Sequence, residues 1–89
     1  MRLADFVIKF LEEKKIDTVF TVSGGGSIFL CDALYKAKKL KYVSCHHEQA
    51  VSFATESFSR VKNKPGAAII TTGPGGTNCT TGVACCWIE

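Results

Sequence analysis

What this chain lacks narrows its function before any motif is considered. No run of about 18 apolar residues occurs, so a membrane-spanning helix is not expected. The first nine residues are interrupted by Asp5 and Lys9 and lack a small-residue cleavage site, so they read as an amphipathic helix rather than a signal peptide. The five cysteines form no Cys-x-x-Cys pair and no zinc-ligand spacing, and an odd count argues against a closed disulfide framework. Buried free thiols in a reducing compartment are the expected state, which places the chain in the cytoplasm. His47-Glu48 would need a second histidine at position 51 to make a zinc-protease helix, and Val51 stands there. No metal ligand is therefore expected from these residues. A dinucleotide turn is excluded in the same way, because Phe29 and Asn78 occupy the third glycine positions of the two candidate fingerprints, and no Gly-Lys-Ser/Thr triplet marks a P-loop. The excess of bases is small, eleven against eight acids. Lys36, Lys38, Lys39 and Lys41 have no aromatic interleaving and read as a solvated helix end, so no nucleic-acid partner is expected. Repeats, linkers and low-complexity stretches are also absent.

What is present alternates between helical and strand periodicity. Apolar spacing predicts helices over about 3–14, 27–38, 47–62 and 77–88, and strands over about 18–22, 41–45 and 67–72. In the first helix Leu3, Phe6, Val7, Phe10 and Leu11 share one face. In the third, Val51, Ala54, Phe58 and Val61 recur at three and four. Asn63-Lys64-Pro65-Gly66 is a turn, since proline disfavours helix at the residue before it. Strands alternating with helices predict an α/β fold, a three-layer parallel sheet with helices on both faces and right-handed crossovers. The apolar run Val83–Ile88 stops without a cap, glycine or proline. Residues 1–89 are thus expected to be the front part of a longer domain: a fragment, a truncated gene model or a degraded copy.

Two strands break into glycine. Val19-Phe20-Thr21-Val22 is followed by Ser23-Gly24-Gly25-Gly26-Ser27, and Ala67–Thr72 by Gly73-Pro74-Gly75-Gly76-Thr77-Asn78. A third strand, Lys41–Cys45, leads to His46-His47-Glu48-Gln49-Ala50, with Glu48 in the first turn of a helix. Such a glutamate is ordinarily a partner for the helix dipole, and glycine turns are ordinarily plain connections. Parallel strands, however, would bring all three turns to one sheet edge, where α/β folds bind ligands. Glu48 would then stand between two turns whose backbone can closely approach a ligand.

The runs His47-Glu48-Gln49-Ala50 and Thr71-Thr72-Gly73-Pro74-Gly75-Gly76-Thr77-Asn78, in this order and spacing, resemble the pyrimidine-binding domain of thiamine-diphosphate enzymes. The nearest group is acetolactate synthase-like, with pyruvate oxidase and pyruvate decarboxylase relatives. The resemblance covers nearly the whole chain. It implies that Glu48 is the glutamate that hydrogen-bonds N1′ of the cofactor's aminopyrimidine ring and so promotes loss of the C2 proton, after which the cofactor attacks a 2-oxo acid. An apolar, desolvated site would help a carboxylate share that proton, and Val51 and Phe53 are candidates to supply it. The resemblance further implies that Ser23, Gly24, Gly25, Thr71, Pro74 and Asn78 line the pyrimidine side of the pocket. Two departures stand out. Thr21 and Ser23 replace the glycine and proline of the family's usual first turn, and Cys86 stands where an acidic residue is frequent.

The resemblance also says what is elsewhere. The diphosphate and its magnesium are held in this family by a different domain, through a glycine-aspartate-glycine motif that this chain does not contain. That domain belongs to a second subunit, in a homodimer or homotetramer of full-length chains. The implied function is the cofactor-activating N-terminal portion of a carboligase or decarboxylase, silent in isolation. Two alternatives stay open: a non-catalytic dimerisation or regulatory module derived from such a domain, and an unrelated small nucleotide-binding α/β protein.

Overall fold

Thr18-Val19-Phe20-Thr21, β-branched and aromatic throughout, forms β1 (Thr18–Thr21), the central strand of the sheet. The computed structural model describes residues 2–22 and 24–88. β1 pairs in parallel with β2 (Lys41–Ser44), from Thr18–Lys41 to Thr21–Ser44, and with β3 (Ala67–Ile69), from Val19–Ala67 to Thr21–Ile69. The strand order is therefore β2-β1-β3.

Among the described residues five α-helices accompany this sheet: α1 (Leu3–Glu13), α2 (Ile28–Lys36), α3 (Glu48–Lys62), α4 (Pro74–Asn78) and α5 (Thr80–Ile88). Successive side chains of a strand point to opposite faces. Val19 faces the core made with Ala4 and Ile8 of α1, Cys31, Ala33 and Leu34 of α2, and Ile69 of β3. Phe20 faces the other way, and its ring meets Phe58 of α3 edge-on at 5.7 Å between centroids. Both faces of the central strand are thus occupied, whereas the residues of β2, at the sheet edge, are exposed.

The topology places the site. From β1 the chain moves outward through α2 to β2, then back through α3 to β3 on the far side of β1. Two crossovers of one hand running in opposite directions must use opposite faces. The reversal opens a crevice at the carboxyl ends of β1 and β3, where the two following segments diverge.

Local chemistry sets the ends of α3. His47 caps it with its own imidazole, Nδ1 accepting from the Gln49 amide at 3.0 Å. Asn63 closes it in the left-handed region at φ 54°, its amide donating to the Ser59 carbonyl, a conformation asparagine tolerates better than most residues. α5 lies close on α3 because Gly82 rests against Ser52. A Cβ at Gly82 would overlap Ser52 Oγ and Cβ.

Several sequence expectations are corrected. On α1 the inward face is Ala4 and Ile8, with Leu11 packed beside them as expected, whereas Leu3, Phe6 and Phe10 are exposed. The small residue lets α1 approach α2, and the bulkier ones are displaced outward. Val61 of α3 is likewise exposed, near the end of the helix and beyond the sheet. β3 ends at Ile69 rather than 72, because Thr71 and Thr72 leave the ladder to pack on the first glycine turn. β2 ends at Ser44, one residue early. The last helix is two: Pro74 at the first position starts α4 sooner than expected, and Cys79 separates it from α5. Of the five free thiols Cys31 and Cys79 are buried, but Cys86 is exposed.

Gly82→Ala should destabilise the chain by ~1–3 kcal/mol, the usual range for forcing a group into filled space, measured by urea unfolding. A neutral or stabilising result would show that α5 does not lie on α3 as described.

Candidate functional site

Glu48 is the first residue of α3, where backbone amides have no partner within the helix. The half-buried carboxylate is therefore held from two sides. Its own backbone N–H contributes most, the Asn78 amide next, and together they keep the carboxyl below its ordinary value of 4.5 against a smaller opposing effect of burial. Asn78 Nδ2 donates to Glu48 Oε1 at 3.2 Å. The next residue along, Cys79, donates its thiol to the Glu48 carbonyl at 3.4 Å, and burial pushes that thiol's pKa up. The junction of α4 and α5 thus grips both the side chain and the backbone of Glu48.

The two glycine turns meet directly, because β1 and β3 are neighbours. The Gly26 amide donates to Thr71 Oγ1 at 3.0 Å. Gly24 is extended, and a Cβ there would fall 2.6 Å from Thr71 Cβ. A Cβ at Gly75 would fall 3.0 Å from Thr71 Cγ2 and 3.6 Å from Glu48 Oε2. Gly25, Gly73 and Gly76, by contrast, have open space where a side chain would be. Gly73 also requires glycine for its backbone, at φ 69°. The strand ends are tied below: Thr21 Oγ1 donates to the Ile69 carbonyl at 2.9 Å and the Cys45 amide to the Thr21 carbonyl at 2.9 Å. Chemically, the crevice offers a fixed carboxylate, one orienting amide and a wall of glycine backbone.

Comparison with known proteins gives the family. The profile of the family described as "Thiamine pyrophosphate enzyme, N-terminal TPP binding domain" matches residues 1–89. This chain belongs to that family. It is 40% identical over 81 residues to an acetolactate synthase, chloroplastic, of Arabidopsis thaliana, covering 91% of this chain and 12% of that protein. It is 37% identical over 81 residues to an acetolactate synthase of Mycobacterium leprae, covering 91% and 13%. Against a probable acetolactate synthase large subunit of Methanocaldococcus jannaschii it is 35% identical over 89 residues, covering 100% and 15%. The chain spans less than a sixth of the length of these relatives.

Within this thiamine pyrophosphate enzyme domain, the residues singled out from sequence separate into groups. Glu48 and Asn78 are joined by a hydrogen bond, and Thr71 joins Gly24 to Gly75. Gly25 and Pro74 are exposed, Gly25 with open space beside it and Pro74 starting α4. Ser23 lies outside the described residues. The sheet order corrects the expectation that Glu48 stands between the two turns: they adjoin each other, and Glu48 meets the second. The expected apolar pocket is also corrected. Val51 is buried in the packing of α3, Phe53 is exposed, and the carboxyl is shifted down rather than up. Gly26 and Gly75 were foreseen only as members of the two turns, and Cys79 was not foreseen at the site. Gly75 lies inside the motif already noted, but no pattern distinguishes Cys79 from a core thiol.

A carboxyl held below its unfolded value adds stability above that value and loses it as pH falls through the folded one. The Glu48 contribution is therefore complete above pH 4.5 and disappears in more acid solution. Asn78→Ala should move the Glu48 titration upward, followed by carbon-13 NMR of the side-chain carboxyl. An unchanged midpoint would show that the amide does not support the anion.

Proposed function

We propose that this chain is the front part of a pyrimidine-binding domain and supplies the cofactor-activating carboxylate, Glu48, of a thiamine-diphosphate enzyme acting on 2-oxo acids. One observation carries the reading. Glu48 and Asn78, one from each of the two motifs that carry the family resemblance, lie 30 residues apart in sequence and meet in a hydrogen bond, at the edge where a reversing parallel sheet binds ligands.

The residues fit an aminopyrimidine ring. Such a ring presents a nitrogen lone pair that accepts a shared proton from a carboxyl group and fits against close backbone walls, and Glu48 with the open faces of Gly25, Gly73 and Gly76 has that character. Thiamine diphosphate, when bound, supplies the acidic C2–H whose loss permits addition to a 2-oxo acid. Glu48 holds the proton shared with N1′, and Asn78 fixes the carboxylate's direction. Gly24, Gly25, Thr71 and Pro74 line the pocket.

The downward shift of the Glu48 carboxyl matters for this role. An exposed crevice favours the anion, and sharing a proton at neutral pH requires desolvation that raises the pKa. We assign that covering to the diphosphate-binding domain of a second subunit, which also holds the diphosphate and its magnesium, in a homodimer or homotetramer. Among the described residues no group of three potential ligands could hold a metal ion. No helix among them is long and apolar enough to cross a membrane. A cytoplasmic location rests on the free thiols alone, and some relatives carry "chloroplastic" in their names.

Two outcomes are expected. The 89-residue chain alone should bind thiamine diphosphate weakly or not at all, and submicromolar binding by calorimetry would contradict the two-domain site. In a full-length enzyme carrying this segment, Glu48→Gln should slow hydrogen–deuterium exchange at C2 of the bound cofactor by ~10²–10⁴-fold, the usual contribution of an acid–base group. Equal exchange rates would return Glu48 to the role of a carboxylate at a helix N-terminus.

A further inference from the structure

The glycines that crowd this site do so around the protein's own side chain. A Cβ at Gly24 would lie 2.6 Å from Thr71 Cβ, 2.7 Å from Cγ2 and 2.8 Å from Oγ1. At Gly26 it would lie 2.8 Å from Thr72 Oγ1 and 3.0 Å from Thr71 Oγ1, and at Gly75 3.0 Å from Thr71 Cγ2. At Gly24 and Gly26 real Cβ atoms do not come this near without something moving, and at Gly75 the Thr71 methyl would have to give by a few tenths of an ångström. Nor is backbone conformation the reason: Gly24 is extended at φ −172° and Gly75 lies inside α4, both accessible to any residue.

We propose that Thr71 is a positioning residue, a strut whose hydroxyl fixes the first glycine turn and whose methyl fixes Gly75, and through Gly75 the carboxylate of Glu48. The two halves of the side chain have separate tasks. Oγ1 accepts from the Gly26 amide at 3.0 Å and so anchors the turn that follows β1. Cγ2 bears on Gly75, whose own Cβ direction leads 3.6 Å to Glu48 Oε2. Gly75 also sits one turn of helix before Asn78, the residue that orients Oε1. Thr71 therefore sets how far the second turn stands from the first, and hence where Asn78 meets Glu48. Gly24 is thus required by the strut itself, Gly26 is crowded by Thr72 first and by Thr71 next, and Gly75 is in tight contact with the Thr71 methyl.

The functional importance of the strut rests on the reading of Glu48 given above. Its geometry is tested on the chain alone without cofactor, so failure of either is distinguishable. Thr71→Val keeps the shape and removes the acceptor. It should abolish the slow exchange of the Gly26 amide while leaving the carbon-13 titration of Glu48 unchanged. Thr71→Ser keeps the acceptor and removes the methyl. It should leave Gly26 protected and move the Glu48 titration upward, as the support from Asn78 relaxes. A merely structural threonine would lower the melting temperature without dividing the two signals in this way. As a second measurement, Gly75→Ala should lower the melting temperature in the wild-type background and be tolerated beside Thr71→Ser, because the atom it meets is gone. The proposal is overturned if Gly26 stays protected in Thr71→Val, if the Glu48 titration is unmoved in Thr71→Ser, or if Gly75→Ala is equally harmful in both backgrounds.

Discussion

Placement of β1 between its two parallel neighbours governs everything at the carboxyl edge. A parallel strand has to be reached by a crossover, and a crossover carries a helix. With β1 in the middle, the chain leaves in one direction with α2 and returns in the other with α3, so the two faces are covered by different helices. The segments that follow β1 and β3 are then driven apart, one toward each face. That separation makes a crevice where two glycine turns can touch at their bases and remain open above. The Thr21 hydroxyl bonded to the Ile69 carbonyl, buried beneath, holds the two strand ends together.

Within the crevice the carboxylate is subject to opposing demands. The first turn of a helix stabilises a negative charge, and the Asn78 amide adds to it. Both make Glu48 a well-fixed acceptor and a poor acid. The direction of the carboxylate is thus set within this chain; in the function proposed above, the desolvation that would let it hold a proton is assigned to a second subunit. The grip of Cys79 on the Glu48 carbonyl belongs to the setting of direction, since it fixes the backbone without touching the charge.

Much of this was legible in the residues themselves. Alternating strand and helix periods led to a parallel three-stranded sheet, and two glycine breaks with a glutamate at a helix start pointed to one edge. What escaped was tertiary. The order of strands cannot be read from their sequence, so the adjacency of the two turns, and the position of Glu48 beside the second, were not foreseen. On α1 the larger apolar residues suggested the inward face, but close helix packing selected Ala4 and Ile8. Thr71 and Thr72 have good strand propensity, yet packing on Gly24 and Gly26 draws them out of the ladder. Cys79 offered no signal at all, because a buried thiol in a core and a thiol donating to a backbone carbonyl are the same letter.

The character of α5 has a consequence for handling the chain. Thr80–Ile88 contains no charged residue, and Val83, Trp87 and Ile88 are 62%, 89% and 80% exposed. Leu3, Phe6 and Phe29 add further uncovered apolar area. Apolar surface of this kind drives molecules together, and a net charge of only +3 opposes it weakly. In solution the colloidal behaviour of the chain therefore depends on concentration and salt: dilution favours single molecules, whereas screening and crowding favour clusters.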